Sequence, residues 1–204
     1  MKIVFATSNK GKLREAQEIL GAGFELVTPA DCGITEDIPE TGETLRENSL
    51  QKALYIKEHT GLDCFADDTG LEVDALGGAP GVHTARYGAE IAERDGLPPV
   101  ASHDFAANID TLLRELSKIP GADRRARFRT SVTLILNGET HFFDGVMEGR
   151  IAESKAGCGG FGYDPVFIAD EFPDRTVAEI PEETKNAISH RGKALRAMAE
   201  YLNR

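Results

Sequence analysis

Lys2-Ile3-Val4-Phe5-Ala6-Thr7-Ser8-Asn9-Lys10-Gly11-Lys12-Leu13 contains the change of period that decides the fold. Lys2 to Ala6 is a short run rich in Ile, Val and Phe, the composition of a buried strand. From Leu13 onward Leu13, Ala16, Ile19 and Leu20 recur at helical spacing, so a tight loop joins strand to helix and Thr7 to Lys12 leaves the strand and opens the helix with lysines in its first turn. The same alternation continues outward. Thr44-Leu45-Arg46-Glu47 fits a capping box, and Leu50, Ala53, Leu54 and Lys57 follow at i, i+3, i+4 and i+7, which predicts a helix to about His59 before the Thr60-Gly61 stop. Cys64-Phe65-Ala66 reads as a buried strand that opens into a loop at Asp67-Asp68-Thr69-Gly70.

Farther along, Gly77 to Gly81 is dense turn chemistry, and Ser102 can cap a helix carrying Phe105, Ile109, Leu112, Leu113 and Leu116 that closes at Pro120-Gly121. Asn137-Gly138 between Ala126–Leu136 and Thr140–Val146 is a strong hairpin signal. Ser189 can cap a last helix whose Ala194, Leu195, Met198 and Leu202 face inward. Strands alternating with helices, with a hairpin inserted, predict an α/β (mixed α+β) fold with a mixed sheet. The acidic, proline-punctuated segment from Ala169 to Lys185 reads as a surface excursion.

Composition narrows the function. The 204 residues carry 34 acidic and 23 basic side chains, a net charge of −11, which speaks against general binding to nucleic acid or to anionic membranes. No apolar run approaches the length of a membrane span, and the N-terminal run meets Asn9 and Lys10 too early for a signal peptide. Cys32, Cys64 and Cys158 form no C-x-x-C pair, so a reducing, cytoplasmic compartment is expected. The bases are unevenly spread. Lys2, Lys10, Lys12 and Arg14 stand together without an acid, as do Lys185, Arg191, Lys193 and Arg196.

Both basic segments open helices, where the positive end of the helix dipole disfavours cations by about 0.3 to 1 kcal/mol each. Such a violation has a purpose if an anion settles there, held by backbone N–H groups and ammonium groups together. Solvated lysines at a strand-to-helix corner are the plain structural alternative. Gly11-Lys12-Leu13 lacks the first glycine and the hydroxyl of a Walker loop. Gly157-Cys158-Gly159-Gly160-Phe161-Gly162 matches G-x-G-x-x-G, but Pro165 and the apolar run after it predict an extended segment and not the helix a dinucleotide site needs. Those glycines can instead let Phe161 approach a flat ligand. Asp67 and Asp68 should point to opposite faces of a strand end, and one of them, with Glu40, Glu72 or Asp74, could hold a hard cation such as Mg²⁺ alongside substrate phosphates; an Asx turn is the structural alternative.

Thr7-Ser8-Asn9-Lys10-Gly11-Lys12, Ala66-Asp67-Asp68-Thr69-Gly70-Leu71, Leu76-Gly77-Gly78-Ala79-Pro80-Gly81, Ala85-Arg86-Tyr87, Gly160-Phe161-Gly162-Tyr163-Asp164-Pro165 and Ser189-His190-Arg191 occur in this order. Together they resemble the inosine/xanthosine triphosphate pyrophosphatases, over nearly the whole chain. The resemblance implies one domain, residues 1–204, with a long mixed sheet flanked by helices and two lobes around an active-site cleft. It implies Mg²⁺-dependent hydrolysis of (d)ITP and XTP to the monophosphate and pyrophosphate by a homodimer. By motif position Thr7, Ser8, Asn9, Lys10, Gly11 and Lys12 would bind phosphates and Glu40 and Asp68 would hold Mg²⁺. Asp68 would also accept the proton of the attacking water, and Lys52 would lie near the phosphates. Phe161, Gly162, Tyr163, Asp164, Lys185, His190 and Arg191 would form the base pocket. Thr69 stands where the family commonly has serine and keeps a hydroxyl for the substrate.

A donor such as Arg191 near a purine O6 and an acceptor such as Asp164 near N1–H would mismatch adenine twice, at about 1 to 3 kcal/mol each. Two other readings compete: a pyrophosphatase for modified pyrimidine or methylated nucleotides, and an RNA-binding module using Arg125, Arg127 and Arg129, whose alternation also fits an exposed strand face.

Overall fold

Alternation of side chains along the first strand sets up two layers. In the structure, a computed structural model describing residues 1–204, β1 (Lys2–Phe5) sends Ile3 and Phe5 to one face and Val4 to the other, all fully buried. On the Ile3 side lie α1 (Lys10–Leu20) and α6 (His190–Leu202), whose Ala16, Leu20, Ala194, Leu195 and Met198 share a core with Phe65, Val132 and Leu134. On the Val4 side lies α2 (Leu45–Thr60), through Ala53 and Ile56 against Cys64, Ala66 and Ile135. The capping box of α2 is formed as expected: Thr44 accepts from the Glu47 N–H, and the Glu47 carboxylate accepts from the Thr44 N–H.

The remaining elements are β2 (Glu25–Val27), β3 (Cys64–Val73), β4 (Pro80–Gly81), α3 (Tyr87–Arg94), α4 (Phe105–Ser117), β5 (Arg125–Leu136), β6 (Glu139–Ile151), β7 (Phe167–Ala169) and α5 (Glu182–Ile188). The strands form one mixed sheet in the order β2-β1-β3-β5-β6-β7, with β4 on β3. β1 pairs parallel to β2 and β3, whereas β4 and β7 pair antiparallel to β3 and β6. The chain divides into two compact units, the first made of residues 1–69, 130–146 and 189–204, the second of residues 70–129 and 147–188. The second has its own core, in which Leu71, Ile109, Leu112, Leu116, Phe128, Met147, Tyr163 and Phe167 pack together. No helix is long and apolar enough to cross a membrane.

Three expectations are corrected. The strand expected to end at Ala66 continues through Asp67-Asp68-Thr69-Gly70 to Val73, because each polar side chain along it has a partner and β4 and β5 extend the pairing. The cap of α4 is Asp104, which accepts from the Ala107 N–H; Ser102 is separated from the helix by His103, whose φ of 66° turns the chain. The segment from Ala169 to Lys185 is a surface excursion only in part: Asp170, Glu171, Pro173 to Arg175 and Pro181 to Glu183 are exposed, but its middle is anchored inside. Thr176 and Glu179 form a capping box around a single turn, Val177 and Ile180 join the second core, and Ala178 between them is buried. Past Pro165 the chain makes a short 3-10 turn, Asp164–Val166, before extending as β7. Arg125, Arg127 and Arg129 are each paired with acids, among them Asp123, Asp74, Glu148 and Glu72, as befits a strand face. That leaves little free positive charge for RNA.

Candidate active site

β3 carries Asp67 and Asp68 on opposite faces, and each collects a different set of partners within the first unit. Asp67, 1% exposed, accepts from Lys12 Nζ at 3.0 and 2.8 Å and from Arg191 Nε at 3.3 Å. Arg191 Nη1 also donates to Glu15 Oε2 at 3.0 Å. Lys12 and Arg191 belong to the first turns of α1 and α6, so the two basic helix starts converge on one buried carboxylate. The cations that looked misplaced in sequence thus already share an internal anion. Burial alone would push the Asp67 carboxyl up; the charges of Lys12, Arg191 and Lys52 outweigh it and hold the group well below the usual carboxylate range.

Asp68 faces α2. Its Oδ2 accepts from Asn48 Nδ2 at 3.0 Å and its Oδ1 from the Thr69 N–H at 3.0 Å. Lys52 Nζ lies 3.8 Å from Asp68 Oδ1 and donates to Glu40 Oε1 at 2.5 Å. Burial is the main reason that the Asp68 carboxyl stands above its ordinary value, with Glu40 and Asp67 adding to it against Lys52 and Asn48. For Lys52 burial works downward, but the carboxylates of Asp68, Asp67 and Glu40 prevail and raise the ammonium.

Asn48, buried one helical turn before Lys52, is a site residue that sequence reasoning did not single out for a role. Its Nδ2 holds Asp68, while its Oδ1 accepts from the Gly42 N–H at 2.7 Å and so fixes the Glu40 loop. A Cβ on Gly42 would lie 2.6 Å from Glu47 Cβ and 2.9 Å from Asn48 Oδ1, so this close approach requires glycine. A polar residue at i−4 from Lys52 on the same helical face was the available signal.

The Thr7–Lys12 loop is built by local hydrogen bonds. Thr7 Oγ1 accepts from the Asn9 N–H at 3.1 Å, and Asn9 Oδ1 caps α1 by accepting from the N–H groups of Gly11 and Lys12 at 2.8 and 3.1 Å. Ser8, Asn9, Lys10 and Gly11 are exposed. Thr69 Oγ1, expected to meet the substrate, contacts Thr130 Oγ1 at 2.7 Å. His190 begins α6 and is half-buried.

In the second unit Phe161, Asp164 and Lys185 come together. The Phe161 N–H donates to Asp164 Oδ2 at 2.6 Å, and Lys185 Nζ donates to the same oxygen. A Cβ on Gly160 would lie 2.3 Å from Asp164 Oδ2, so the loop closes around that carboxylate. Tyr163 is buried, and its hydroxyl donates to the Thr84 carbonyl at 3.0 Å; burial raises its phenol above the ordinary value. Phe161 is 62% exposed. Asp164, expected to read a base, thus has Oδ2 committed to the loop, and Arg191, expected to meet O6, has carboxylate partners of its own in Asp67 and Glu15.

No group of three or more His, Cys, Asp or Glu side chains gathers as a self-sufficient metal cage. Glu40 and Asp68 nevertheless flank a shared cation, the Lys52 ammonium, and two carboxylates suit a hard divalent ion that takes its other oxygens from phosphates and water.

Known proteins resemble this chain over its full length. A dITP/XTP pyrophosphatase of Christiangramia forsetii is 45% identical over 204 residues, all of both chains. One of Porphyromonas gingivalis is 48% identical over 201 residues, covering 98% of this chain and 97% of its own. Among solved structures a HAM1 protein from Coxiella burnetii superposes with a TM-score of 0.88 at 36% identity, over 100% of this chain and 98% of that one. The Ham1 family profile matches residues 3–201, and the chain belongs to the Ham1 family.

Proposed function

We propose that this protein is a nucleoside-triphosphate pyrophosphatase that hydrolyses nonstandard purine nucleotides, (d)ITP and XTP, to the monophosphate and pyrophosphate; dITP and XTP stand in the names of its relatives. The observation that carries the reading is the two-faced strand β3. One face presents the cations Lys12 and Arg191 fixed on Asp67, and the other presents a raised carboxylate, Asp68, beside Glu40 and Lys52.

In this reading Lys12, the exposed Thr7–Lys12 loop and Lys52 receive the triphosphate. The chemistry needs a water in line with the α-phosphorus and a site that tolerates charge on departing pyrophosphate. Water oxygen bonds to the α-phosphorus, the bond to the bridging oxygen breaks, and the water proton passes to Asp68. A carboxylate whose affinity for protons is raised by burial suits that transfer, and Asn48 and the Thr69 N–H fix its orientation. Lys52 neutralises charge on the phosphates. Glu40 and Asp68 would hold Mg²⁺, which supplies charge neutralisation and a more acidic water when bound. In the second unit the exposed Phe161 ring offers a stacking face to the base, with Gly162, Tyr163, Asp164 and Lys185 shaping its loop. Residues 1–204 act as one catalytic domain and assemble as a homodimer. A cytoplasmic setting fits three free cysteines, of which Cys64 is a buried filler whose thiol burial pushes up to about 12.

Pyrophosphate release from ITP, XTP, dUTP and GTP, with and without Mg²⁺, tests the substrate class and the metal. Release is expected from ITP and XTP and should stop on chelation. Asp68→Asn should lower kcat at least about 100-fold while ITP binding persists, the scale of a lost general base. Retained turnover in that variant rejects the assignment of Asp68.

A further inference from the structure

A large aromatic side chain left 62% exposed, as Phe161 is, needs something to hold its ring if it is to present a fixed face. Its main chain is well tied. The N–H is bound to Asp164, and Gly157 and Gly159 lie against Ala178 so closely that a Cβ on either would come within 2.8 and 2.9 Å of it. The ring itself gains nothing from those bonds, and its neighbours Gly160 and Gly162, at φ of 79° and 62°, contribute no side chain to pack against it.

The ring is met instead by Phe105, with centroids 4.3 Å apart and planes at 61°. A steeply tilted contact of this kind braces the Phe161 ring from one side and takes up at most one of its faces, so the opposite face stays clear of Phe105. Phe105 is a firm support. It opens α4, whose cap is Asp104, and His103 turns the chain into it from the left-handed region, with its N–H bound to the Ala85 carbonyl at 2.8 Å and its ring edge-on to Phe105 at 6.4 Å. The same helix takes hold of the loop a second time, through Asp110 and Lys155 at 2.6 Å.

We propose that Phe105 is a positioning residue for substrate recognition: it sets the Phe161 ring so that one face stands ready for a planar purine. The proposal rests on the reading that Phe161 stacks on the base. Without Phe105 the ring would have to be ordered as the nucleotide binds, so affinity for the nucleoside part falls while the chemical step is untouched.

The test is a double-mutant cycle in the full-length protein, with KM and kcat for ITP and inhibition by inorganic tripolyphosphate as readouts. Phe105→Ala is expected to raise KM about two- to tenfold, the scale of an aromatic pair, with kcat within about twofold and tripolyphosphate inhibition unchanged. Phe105→Leu keeps the apolar bulk, secures the fold should alanine loosen it, and should show the same rise; Phe105→Tyr restores the ring and should rescue KM. In a Phe161→Ala background the effect of Phe105→Ala should vanish. The proposal is overturned if Phe105→Leu leaves KM at the wild-type value, if kcat falls instead, or if the effect survives undiminished beside Phe161→Ala. Should Phe161→Ala itself leave KM unchanged, the stacking reading fails, and the role of Phe105 fails with it.

Discussion

Two clusters of similar charge composition sit in different surroundings, one in each unit. In the first, Lys12 and Arg191 close on Asp67, 1% exposed, with Glu15 bound behind Arg191. In the second, Arg125, Arg127 and Arg129 project from alternate positions of β5 and reach Asp123, Asp74, Glu72 and Glu148 on a face open to water. An exposed ladder of this kind gives up little solvation and gains little. A buried knot gives up a great deal, and its partners cannot be removed singly without leaving a charge stranded. Where a chain tolerates the second arrangement at the starts of two helices, the geometry it fixes is the return. Asp67 holds Lys12 and Arg191 together at the starts of α1 and α6.

The largest difference between the clusters should therefore appear on removing Asp67. Asp67→Asn leaves Lys12 without its counterion and Arg191 with Glu15 alone, and is expected to cost about 3 kcal/mol, the lower end for a broken buried pair, since both cations keep about a fifth of their side-chain surface in water and Arg191 keeps one acid. The dependence on pH has a definite sign. The folded Asp67 carboxyl lies below its ordinary value of about 3.9, so its stabilisation is complete above that value and is lost as pH falls beneath it, when the unfolded chain takes up the proton first. Denaturant melts should thus show a constant gap between wild type and variant from about pH 5 to 8, closing below about pH 4. A gap independent of acid would mean that Asp67 holds no stabilising charge.

The knot was only half legible in sequence, for a physical reason. Caps and turns are local, so the Thr44 box, the Asn137-Gly138 hairpin and the Ser189 cap could be read from a few residues each, and the structure has them where they were expected. The basic character of the Thr7–Lys12 and Ser189–Arg191 segments was equally plain. That Asp67 would be their common partner was not, because the ion pairs join residues 55 and 124 positions apart and no local pattern encodes such a distance. Short elements escaped for a related reason: β2 has three residues, and the turn at Val177–Glu179 also has three, too few to show a period. Acidity and proline made the segment after Ala169 look exposed, although Val177 and Ile180 supply apolar surface to a core formed by distant residues. α3 was missed: it follows soon after the turn glycines Gly77 to Gly81, and no helix was read over Tyr87–Arg94.

Gly145 gives a second, smaller test of how tightly the knot is seated. Nothing in sequence marks it, yet a Cβ there would lie 2.0 Å from the His190 carbonyl oxygen and 2.7 Å from the Ala194 nitrogen, main-chain atoms of the first turns of α6. Gly145→Ala must push that helix start off the sheet, which is expected to cost about 1 to 3 kcal/mol as overpacking does. It should also draw Arg191 away from Asp67, so that Asp67→Asn costs less in the Gly145→Ala background than alone. Additive losses in a denaturant double-mutant cycle would show that the helix position and the ion pair are independent.

The smallest effect belongs to the exposed ladder. Arg127 lies within 3.0 Å of both Asp74 Oδ1 and Glu148 Oε2, and at 3.8 Å from Glu72, so by contact count alone it would look as consequential as Arg191. Its partners are 24 to 55% exposed, and water and salt can replace what it gives them. Arg127→Ala is expected to cost about 1 kcal/mol or less at low ionic strength, and most of that difference should disappear in about 0.5 M salt, whereas the loss from Asp67→Asn persists. Measuring both variants across the same salt series separates solvent exposure from the number of partners as the source of the contrast. Equal salt sensitivity in the two would mean that Asp67 is far better hydrated than its burial implies.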